Sequence, residues 1–571
     1  MSTTLTKEKV STITGAEAVL RSLVAENVDT VFGYPGGAIM PIYDALYNYA
    51  DKVNHILVRH EQGAVHAAQG YARTSGKVGV CFATSGPGAT NLVTGLADAM
   101  IDSTPVVCIT GQVSSKLLGT DAFQETDVIG ISMPITKWNF QVAKTEEIPA
   151  ALAKAFYIAR SGRPGPVLID ITKDAQFGEA EFKYSKCKKI RSYSPHPELK
   201  MDAIESAAAL INKAKKPFLL VGQGVILSKA ENELLVFAEE SGIPVASTLL
   251  GLGAFSTDHP LYMGFLGMHG NYAPNIKTNE CDVLIAVGMR FDDRVTGDVS
   301  RYAKQAKIIH IDIDAGEINK IVKTEVAIHA DAKEALAALT IRVEAKKYPE
   351  WLNEFKECSE KEYETVIKNE LFLQKKGLKM AQVVNLLSEK TKGEAVIVTD
   401  VGQHQMVTSR YYQYKKSNSN ITSGGLGTMG FGVPAAIGAK LGNPKRTVIA
   451  VIGDGGFQMT IQELGTILQS EVDIKIIILN NNFLGMVRQW QELFFEKRYS
   501  FTEIVNPNFT GIAKAYGIAS EKIANPLMLN EAMDKMLKHK GPYLLEVIVE
   551  KEGNVFPMVP QGASVSEIRL S

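Results

Sequence analysis

The stretch VIAVIGDGGFQMTIQELGTILQSEVDIKIIILNNNFLGM, Val448 to Met486, contains two β-branched apolar runs, the first reaching back to Thr447. One run ends in Gly-Asp-Gly-Gly and the other in Asn-Asn-Asn. Between them IQELGTILQ carries apolar residues at Ile461, Leu464, Ile467 and Leu468, a helical spacing. The pattern is strand, glycine turn, helix, strand. A right-handed crossover places both strands in one parallel sheet, pointing the same way. Ligands of parallel sheets collect at the carboxyl ends of strands, so Asp454 and Asn481 are expected at one edge. A carboxylate, an amide oxygen and a nearby backbone carbonyl make an incomplete set for a hard cation. Magnesium held this way completes its octahedron with phosphate oxygens and water. Gly453, Gly455 and Gly456 let the backbone approach a diphosphate, and the next helix offers its positive N-terminus. Either piece alone is an ordinary strand-end turn, with a capping Asp or an Asn tolerant of left-handed backbone. Both together, each closing a buried strand, predict a Mg²⁺–diphosphate cradle.

Moving outward, the 571 residues are too many for one core and suggest three or four domains. Lys plus Arg (61) nearly cancels Asp plus Glu (62), which gives no case for a polyanionic partner. No DNA- or RNA-binding motif occurs, so no nucleic acid is expected. Five scattered cysteines form no CxxC pair, which reads as a reducing compartment. The opening MSTTLTKEKVSTITG lacks the apolar core of a signal peptide. No apolar run approaches the ~20 residues of a membrane helix. The expectation is a cytoplasmic protein that does not engage a membrane.

Apolar runs alternate with helical patterns almost throughout, the signature of βαβ units and parallel sheets. FKYSKCKKIRSYSPHPELK (182–200), basic and with two prolines, reads as a linker. EAKKYPEWLNEFKECSEKEYETVIKNELFLQKK (344–376) reads as an exposed, charged helical connection. These breaks predict three α/β domains, near 1–185, 195–345 and 375–571. KVGVCFATSGPGATNLVTGLADAMIDSTPVVCITG (77–111) repeats the strand, glycine turn, helix, strand order of the opening stretch, so the first and third domains are expected to echo each other. GLGTMG (425–430) fits GxGxxG, but the preceding KKSNSNITS is polar and no strand, so it does not predict a dinucleotide site.

The spacing GDG-x(24)-NN resembles the thiamine diphosphate motif of the decarboxylase and carboligase superfamily. The resemblance implies Mg²⁺ held by Asp454, Asn481 and the backbone oxygen of Phe483. It also places Gly427 and Met429 beside the aminopyrimidine, with Met429 bending the cofactor, although from the residues alone a core methionine at a helix start fits better. RHEQ, at the end of NHILVRHEQGAVHAAQGYARTSG (54–76), reads as a strand ending at Arg59 and a helix beginning near Glu61. An acid in a first helical turn ordinarily just complements the dipole. The resemblance makes Glu61 the catalytic glutamate, which protonates the aminopyrimidine and so turns the cofactor's own amine into a base.

Further segments narrow the likeness: FGYPGGAIMPIYDAL (32–46), TSGPGATN (84–91), GTDAFQETD (119–127), RFDDRVTG (290–297), GMVRQW (485–490) and NVFPMVP (554–560). In this order they resemble catalytic subunits of the acetohydroxyacid synthase (acetolactate synthase) family, along essentially the whole chain. One departure is Thr172 in ITKDAQ, where that family usually has proline before the lysine. The resemblance implies three doubly wound parallel-sheet domains, the first and third of thiamine diphosphate-binding type and the middle one FAD-binding. It implies decarboxylation of pyruvate and joining of the two-carbon unit to pyruvate or 2-oxobutyrate, for valine, leucine and isoleucine synthesis. Arg294 would hold the incoming carboxylate, since a guanidinium grips it bidentately; an ion pair with Asp292 or Asp293 is the alternative. Phe123, Gln124 and Lys173 would line the entrance with Met268, His269 and Trp490, and Met486 would touch the cofactor. Flavin contacts would come from Arg163, Gly222, Gly224, Thr248, Leu249, Met268, His269, Gly270, Gly288, Arg290, Asp312, Ile313 and Asp331. A homodimer or higher homo-oligomer with active sites at the subunit interface is implied, as is a separate small regulatory subunit. The rival readings are a pyruvate oxidase or other thiamine diphosphate-dependent 2-oxo acid decarboxylase, and a nucleotide-binding protein that has lost catalysis.

Overall fold

The computed structural model describes residues 12–372 and 377–571. The chain divides into two compact units: Met1–Ser194 with Ile437–Asn443 and Gln462–Glu471, and Pro195–Ala436 with Pro444–Ile461 and Val472–Ser571.

The first unit is built on a six-stranded sheet of β1 (Thr30–Gly33), β2 (Asn54–Leu57), β3 (Gly79–Ala83), β4 (Val106–Gln112), β5 (Trp138–Val142) and β6 (Val167–Thr172). Every pairing is parallel and the order is β2-β1-β3-β4-β6-β5. Strands β3, β4 and β6 are buried along their whole length, as parallel strands covered on both faces must be. Cys81 and Cys108 lie opposite each other in β3 and β4, and all five cysteines of the chain are free thiols.

The second unit holds two sheets. Its first comprises β7 (Pro217–Val221), β8 (Val245–Ser247), β9 (Tyr262–Phe265), β10 (Val283–Val287), β11 (Lys307–Asp312) and β12 (Val326–His329), in the order β9-β8-β7-β10-β11-β12. Its second comprises β13 (Val396–Thr399), β14 (Asn420–Ile421), β15 (Val448–Gly453), β16 (Lys475–Asn480), β17 (Ala519–Ile523) and β18 (Tyr543–Ile548), in the order β14-β13-β15-β16-β18-β17. Both are wholly parallel. The protein is thus α/β with three doubly wound parallel sheets. Numbered within each sheet, the outer two share the order 2-1-3-4-6-5, while the middle one reads 3-2-1-4-5-6, the order of dinucleotide-binding sheets. The echo between the first and third domains therefore extends to strand order.

Three local expectations need correction. The strand before Glu61 ends at Leu57 rather than Arg59. The polar segment ahead of GLGTMG does contain a strand, the two-residue edge strand β14, because Asn420 and Ile421 pair with β13. The charged connection is helical, α2 below, but it is anchored rather than fully exposed. Numbering helices as used, α1 is Glu61–Ser75, α2 Pro349–Glu362, α3 Asp454–Met459 and α4 Gly485–Phe494. Trp351 and Phe355 on the inner face of α2 are 2% and 1% exposed, and the Trp351 indole donates to Pro217 O at 2.8 Å. Lys216 Nζ stands 5.0 Å over the Trp351 ring. Residues 373–376 of that connection, and 1–11 of the opening segment, lie outside the described residues. Among the described residues no helix is long and apolar enough to cross a membrane.

Truncating Trp351 leaves a cavity and an unpaired Pro217 carbonyl. Trp351→Ala is expected to cost ~3–5 kcal/mol, read as a lowered denaturation midpoint. A wild-type midpoint would show that α2 is not anchored there.

Candidate active site

In the first unit, functional side chains gather at the carboxyl ends of β2, β3, β4 and β6. Glu61 opens α1 behind the N-cap His60, whose Nδ1 accepts from Gln62 N. Its carboxylate is 8% exposed, and Oε2 accepts from Asn91 Nδ2 at 2.9 Å. The turn after β3 wedges beside it. A Cβ on Gly88 would lie 3.3 Å from Glu61 Oε1, and one on Gly86 only 2.8 Å from Gln124 O. Glu61 and Gln124, distant in sequence, are thus joined through one glycine turn. Gln124 has φ +59, and its neighbour Phe123 is 87% exposed. Lys173 follows β6 directly, and Asp174 ties that end to the loop after β4 by accepting from Ser115 N and Oγ at 2.8 and 2.5 Å. Arg163 stands apart from this cluster: it precedes β6 at the strand's amino end, with Nε donating to Ser103 Oγ at 2.9 Å.

Glu463 was not singled out from the sequence. Buried in this same unit, it accepts from Arg59 N at 3.1 Å and from Thr466 Oγ1 at 2.6 Å, and burial pushes its carboxyl up. It fixes the backbone immediately before Glu61.

In the third sheet, β15 and β16 are neighbours with Gly453 opposite Leu479, so GDGG and NNN do meet at one edge. Asp454 is the first residue of α3 and 1% exposed. Burial pushes its carboxyl up to about 6 despite the Asn506 amide, which donates to Oδ2 at 2.6 Å. Asn481 is buried beside it, with Oδ1 accepting from Phe483 N at 3.2 Å. A desolvated carboxylate met by one neutral side-chain amide, next to an amide oxygen and the Phe483 turn, suits a hard divalent cation. Among the described residues no cluster of three His, Cys, Asp or Glu is arranged for a metal.

Each glycine of the turn has a steric reason. A Cβ would come 2.8 Å from His404 Nδ1 at Gly453, 2.7 Å from Leu484 at Gly455 and 2.4 Å from Asp400 Oδ1 at Gly456. Met429 Cε lies 3.8 Å from the Gly455 Cβ position, which sets Met429 directly over the turn. Asp400 holds it there. Fully buried at the end of β13, Asp400 accepts from Val401 N, Gly430 N and Gly432 N at 2.8, 3.0 and 2.9 Å. Burial nevertheless pushes its carboxyl up to about 6. Gly427, in the same loop, has φ +70 and is exposed. His404 is buried and driven down to about 4 by desolvation, hence neutral, and its Nε2 has no partner among the described residues. Gln403 donates to Gln489 Oε1 at 2.9 Å and Gly553 O at 2.8 Å, fixing α4. On α4, Met486 and Trp490 are half-buried, and the Trp490 ring lies 4.9 Å from Phe494. Trp490 is therefore not a core tryptophan.

Asp400, Gln403, His404 and Asn506 escaped the sequence reading. The signal for Asp400 was present, since AVIVTD is a buried strand ending in an acid, as IGD is. Asn506 sits in a loop with no such mark.

In the middle sheet, Gly222 and Gly224 follow β7, and Gly288 follows β10, where the strand order reverses. Gly222 N donates to Val287 O and Gly224 N to Gly288 O, both at 2.9 Å. A Cβ on Gly224 would lie 2.5 Å from Gly288 Cα, so these backbones cross in contact. Such a bare backbone crossing at the reversal point is where doubly wound sheets accept a nucleotide. Thr248 N donates to Val221 O at 2.8 Å, bringing Thr248 and Leu249 to the same edge. Met268 N donates to Arg294 O at 2.7 Å, and the buried His269 leaves Nδ1 without a partner among the described residues. Arg410 clamps the His269 and Gly270 carbonyls at 2.6 and 2.9 Å. Arg294 itself is exposed, with Nε 3.8 Å from Asp293 and Nη1 3.6 Å from Met268 Sδ. Arg290 stands 4.0 Å from Asp292. Asp312 ends β11, Ile313 O faces the His329 ring at 3.1 Å, and Asp331 caps the following helix through Lys333 N at 2.8 Å.

Three models of thiamine pyrophosphate enzymes match the chain in order: the N-terminal TPP binding domain over residues 13–131, the central domain over 204–339 and the C-terminal TPP binding domain over 400–547. The chain is 47% identical to the acetolactate synthase isozyme 2 large subunit of Escherichia coli K12, over 97% of its own length and 99% of that protein. Identity to the acetolactate synthase large subunit of Corynebacterium glutamicum is 48%, covering 98% and 90%, and to that of Lactococcus lactis 45%, covering 97% and 96%. The chain belongs to the thiamine pyrophosphate enzymes and, among them, to the family of acetolactate synthase large subunits.

Proposed function

We propose that this chain catalyses acetolactate synthesis: decarboxylation of pyruvate, then transfer of the two-carbon unit to a second pyruvate or to 2-oxobutyrate. The observation that carries the reading is the desolvated Asp454 facing Asn481 and Phe483 across adjacent strand ends, in a chain similar end to end to acetolactate synthase large subunits. When bound, thiamine diphosphate supplies the electron sink that lets a 2-oxo acid lose carbon dioxide.

The chain's own residues do the rest. Asp454, Asn481 and the Phe483 carbonyl would hold Mg²⁺, and Gly453, Gly455 and Gly456 leave room for a diphosphate. Gly427, Met429 and Met486 would hold the aminopyrimidine. Glu61, kept in one orientation by Asn91, would be the acid that holds the proton for it. Arg294 grips the carboxylate of the second substrate, and its exposed guanidinium, only loosely paired at 3.8 Å, is available to do so. Phe123, Gln124, Lys173, Met268, His269 and Trp490 border the path to it. The glycine crossing of Gly222, Gly224 and Gly288 receives FAD, with Arg163, Thr248, Leu249, Gly270, Arg290, Asp312, Ile313 and Asp331 as further contacts; the carboligation involves no net redox change. The domains run 1–185, 195–345 and 375–571. The active unit is a homodimer or higher homo-oligomer with active sites at the subunit interface. A separate small regulatory subunit accompanies it, in keeping with the name of its relatives. The free cysteines suit a cytoplasmic location.

The test is product identification with thiamine diphosphate, Mg²⁺ and FAD. Pyruvate alone is expected to give 2-acetolactate, and added 2-oxobutyrate to give 2-aceto-2-hydroxybutyrate. Acetate or acetaldehyde as the main product would overturn the reading in favour of an oxidase or simple decarboxylase.

Glu61→Gln keeps the side chain's size and removes its acid. Turnover is expected to fall ~10²–10⁴-fold while thiamine diphosphate still binds. Near-wild-type turnover would reduce Glu61 to a helix-end acid. Trp490 is half-buried, so its truncation spares the core. Trp490→Leu is expected to fold and to lose most preference for 2-oxobutyrate, a selectivity of ~10–200-fold for one methylene. Competition between the two acceptors at fixed pyruvate reads this directly, and an unchanged product ratio would remove Trp490 as the selector.

A further inference from the structure

Asn506 lies in the loop after α4, between no recognisable strand end and no glycine turn, yet it is the hub of the third sheet's polar interior. Its Nδ2 donates to Asp454 Oδ2 at 2.6 Å, to Asn480 Oδ1 at 3.0 Å and to Asn482 Oδ1 at 3.0 Å. Its Oδ1 accepts from Gln458 Nε2 at 2.8 Å. These partners come from the GDGG turn, from α3 and from both sides of the NNN turn, where Asn482 has φ +55. Two N–H bonds serve three oxygens, so one of them is shared.

The orientation of this amide is not free. A carboxylate ionised for a cation only accepts, so nitrogen must face Asp454. Gln458 engages the oxygen on the other side. Asn480 is fixed in turn: its Nδ2 donates to Glu546 Oε1 at 2.8 Å, and its Oδ1 also takes Asn482 N at 3.0 Å. Glu546 is buried in β18 and paired with Lys522 at 3.1 Å. A line of polar groups thus runs Lys522, Glu546, Asn480, Asn506, Asp454, and each amide in it has one arrangement that satisfies its neighbours.

We propose that Asn506 is the positioning residue of the cation site. It commits Oδ2 of Asp454 and thereby aims the carboxylate, while joining the two turns that carry the ligands. This rests on the reading of Asp454 as a Mg²⁺ ligand. The residue type is the one the task requires. A neutral amide orients the carboxylate without neutralising it, whereas Lys or Arg would compete with the cation and Asp would repel Asp454. Partners of ligands that hold their orientation typically govern metal affinity ~10–100-fold.

The test is Mn²⁺ binding to the full-length protein with thiamine diphosphate, followed by electron paramagnetic resonance and by Mg²⁺ competition. Asn506→Ala is expected to weaken Mn²⁺ ~10–100-fold. The metal-free melting temperature should stay near wild type, and the loss in turnover should appear as a raised metal requirement more than a lowered kcat. Gln458→Leu, which frees the amide to rotate, should shift affinity the same way by less. Asp454→Asn is the control. If Asp454→Asn abolishes binding while folded Asn506→Ala keeps wild-type affinity, the positioning role is overturned and the metal site stands. If Asp454→Asn binds Mn²⁺ as wild type does, the metal-site reading fails and this inference with it. Should Asn506→Ala not fold, Gln458→Leu decides: unshifted affinity overturns the role.

Discussion

A carboxylate taken out of water at the end of a buried strand is costly unless donors or a cation meet it. The third sheet does this twice on adjacent strands. Asp400 ends β13 and Asp454 follows β15, both buried, both with burial pushing the carboxyl up to about 6. The two are answered differently. Asp400 takes three backbone N–H groups and so becomes structural, pinning the loop that carries Met429. Asp454 takes a short bond from the Asn506 side-chain amide, with lesser backbone contacts from its own turn and the Asn481–Asn482 turn, and stands beside the Asn481 amide oxygen. Much else around the site follows from that contrast. Glycines are required at Gly453 and Gly456 because His404 and Asp400 pack against the turn, and Gln403 and Asn506 secure the segments around it.

The strand orders explain why such groups collect. In the outer sheets the order reverses between first and third strands, which are β1 and β3 in one and β13 and β15 in the other. Those strands release the turns bearing Gly86 and Gly88 in the first unit, and Asp400 and Asp454 in the second. The same order thus gives one sheet a glycine wedge beside Glu61 and the other an oxygen-rich cradle. The middle sheet reverses between β7 and β10, and there the sequence offers glycine on both sides, with Arg290 two residues beyond.

Much of this was legible in the residues. Long β-branched runs closed by polar residues mark β15 and β16 and bring Asp454 to Asn481 by sequence alone. The helix beginning near Glu61 was legible too, and α1 opens on that residue. What stayed hidden depends on chain segments meeting without a periodic signal. Asn506 acts through four partners that its own neighbourhood in sequence does not announce, and Glu463 reaches Arg59 across some four hundred residues. The two-residue strand β14 was missed because KKSNSNITS has no alternation, and pairing with β13 alone makes it a strand. The charge of 344–376 masked Trp351 and Phe355, whose spacing puts two aromatic rings on one helical face.

The oxygen set at the ends of β15 and β16 is proposed to hold the divalent cation of a thiamine diphosphate site. Anomalous diffraction from crystals grown with thiamine diphosphate and Mn²⁺ tests it most directly. A single strong peak per chain is expected, bonded to Asp454 Oδ1 or Oδ2, Asn481 Oδ1 and the Phe483 carbonyl, with the remaining positions filled by diphosphate and water. A peak elsewhere, or bound cofactor with no metal between it and Asp454, would contradict it.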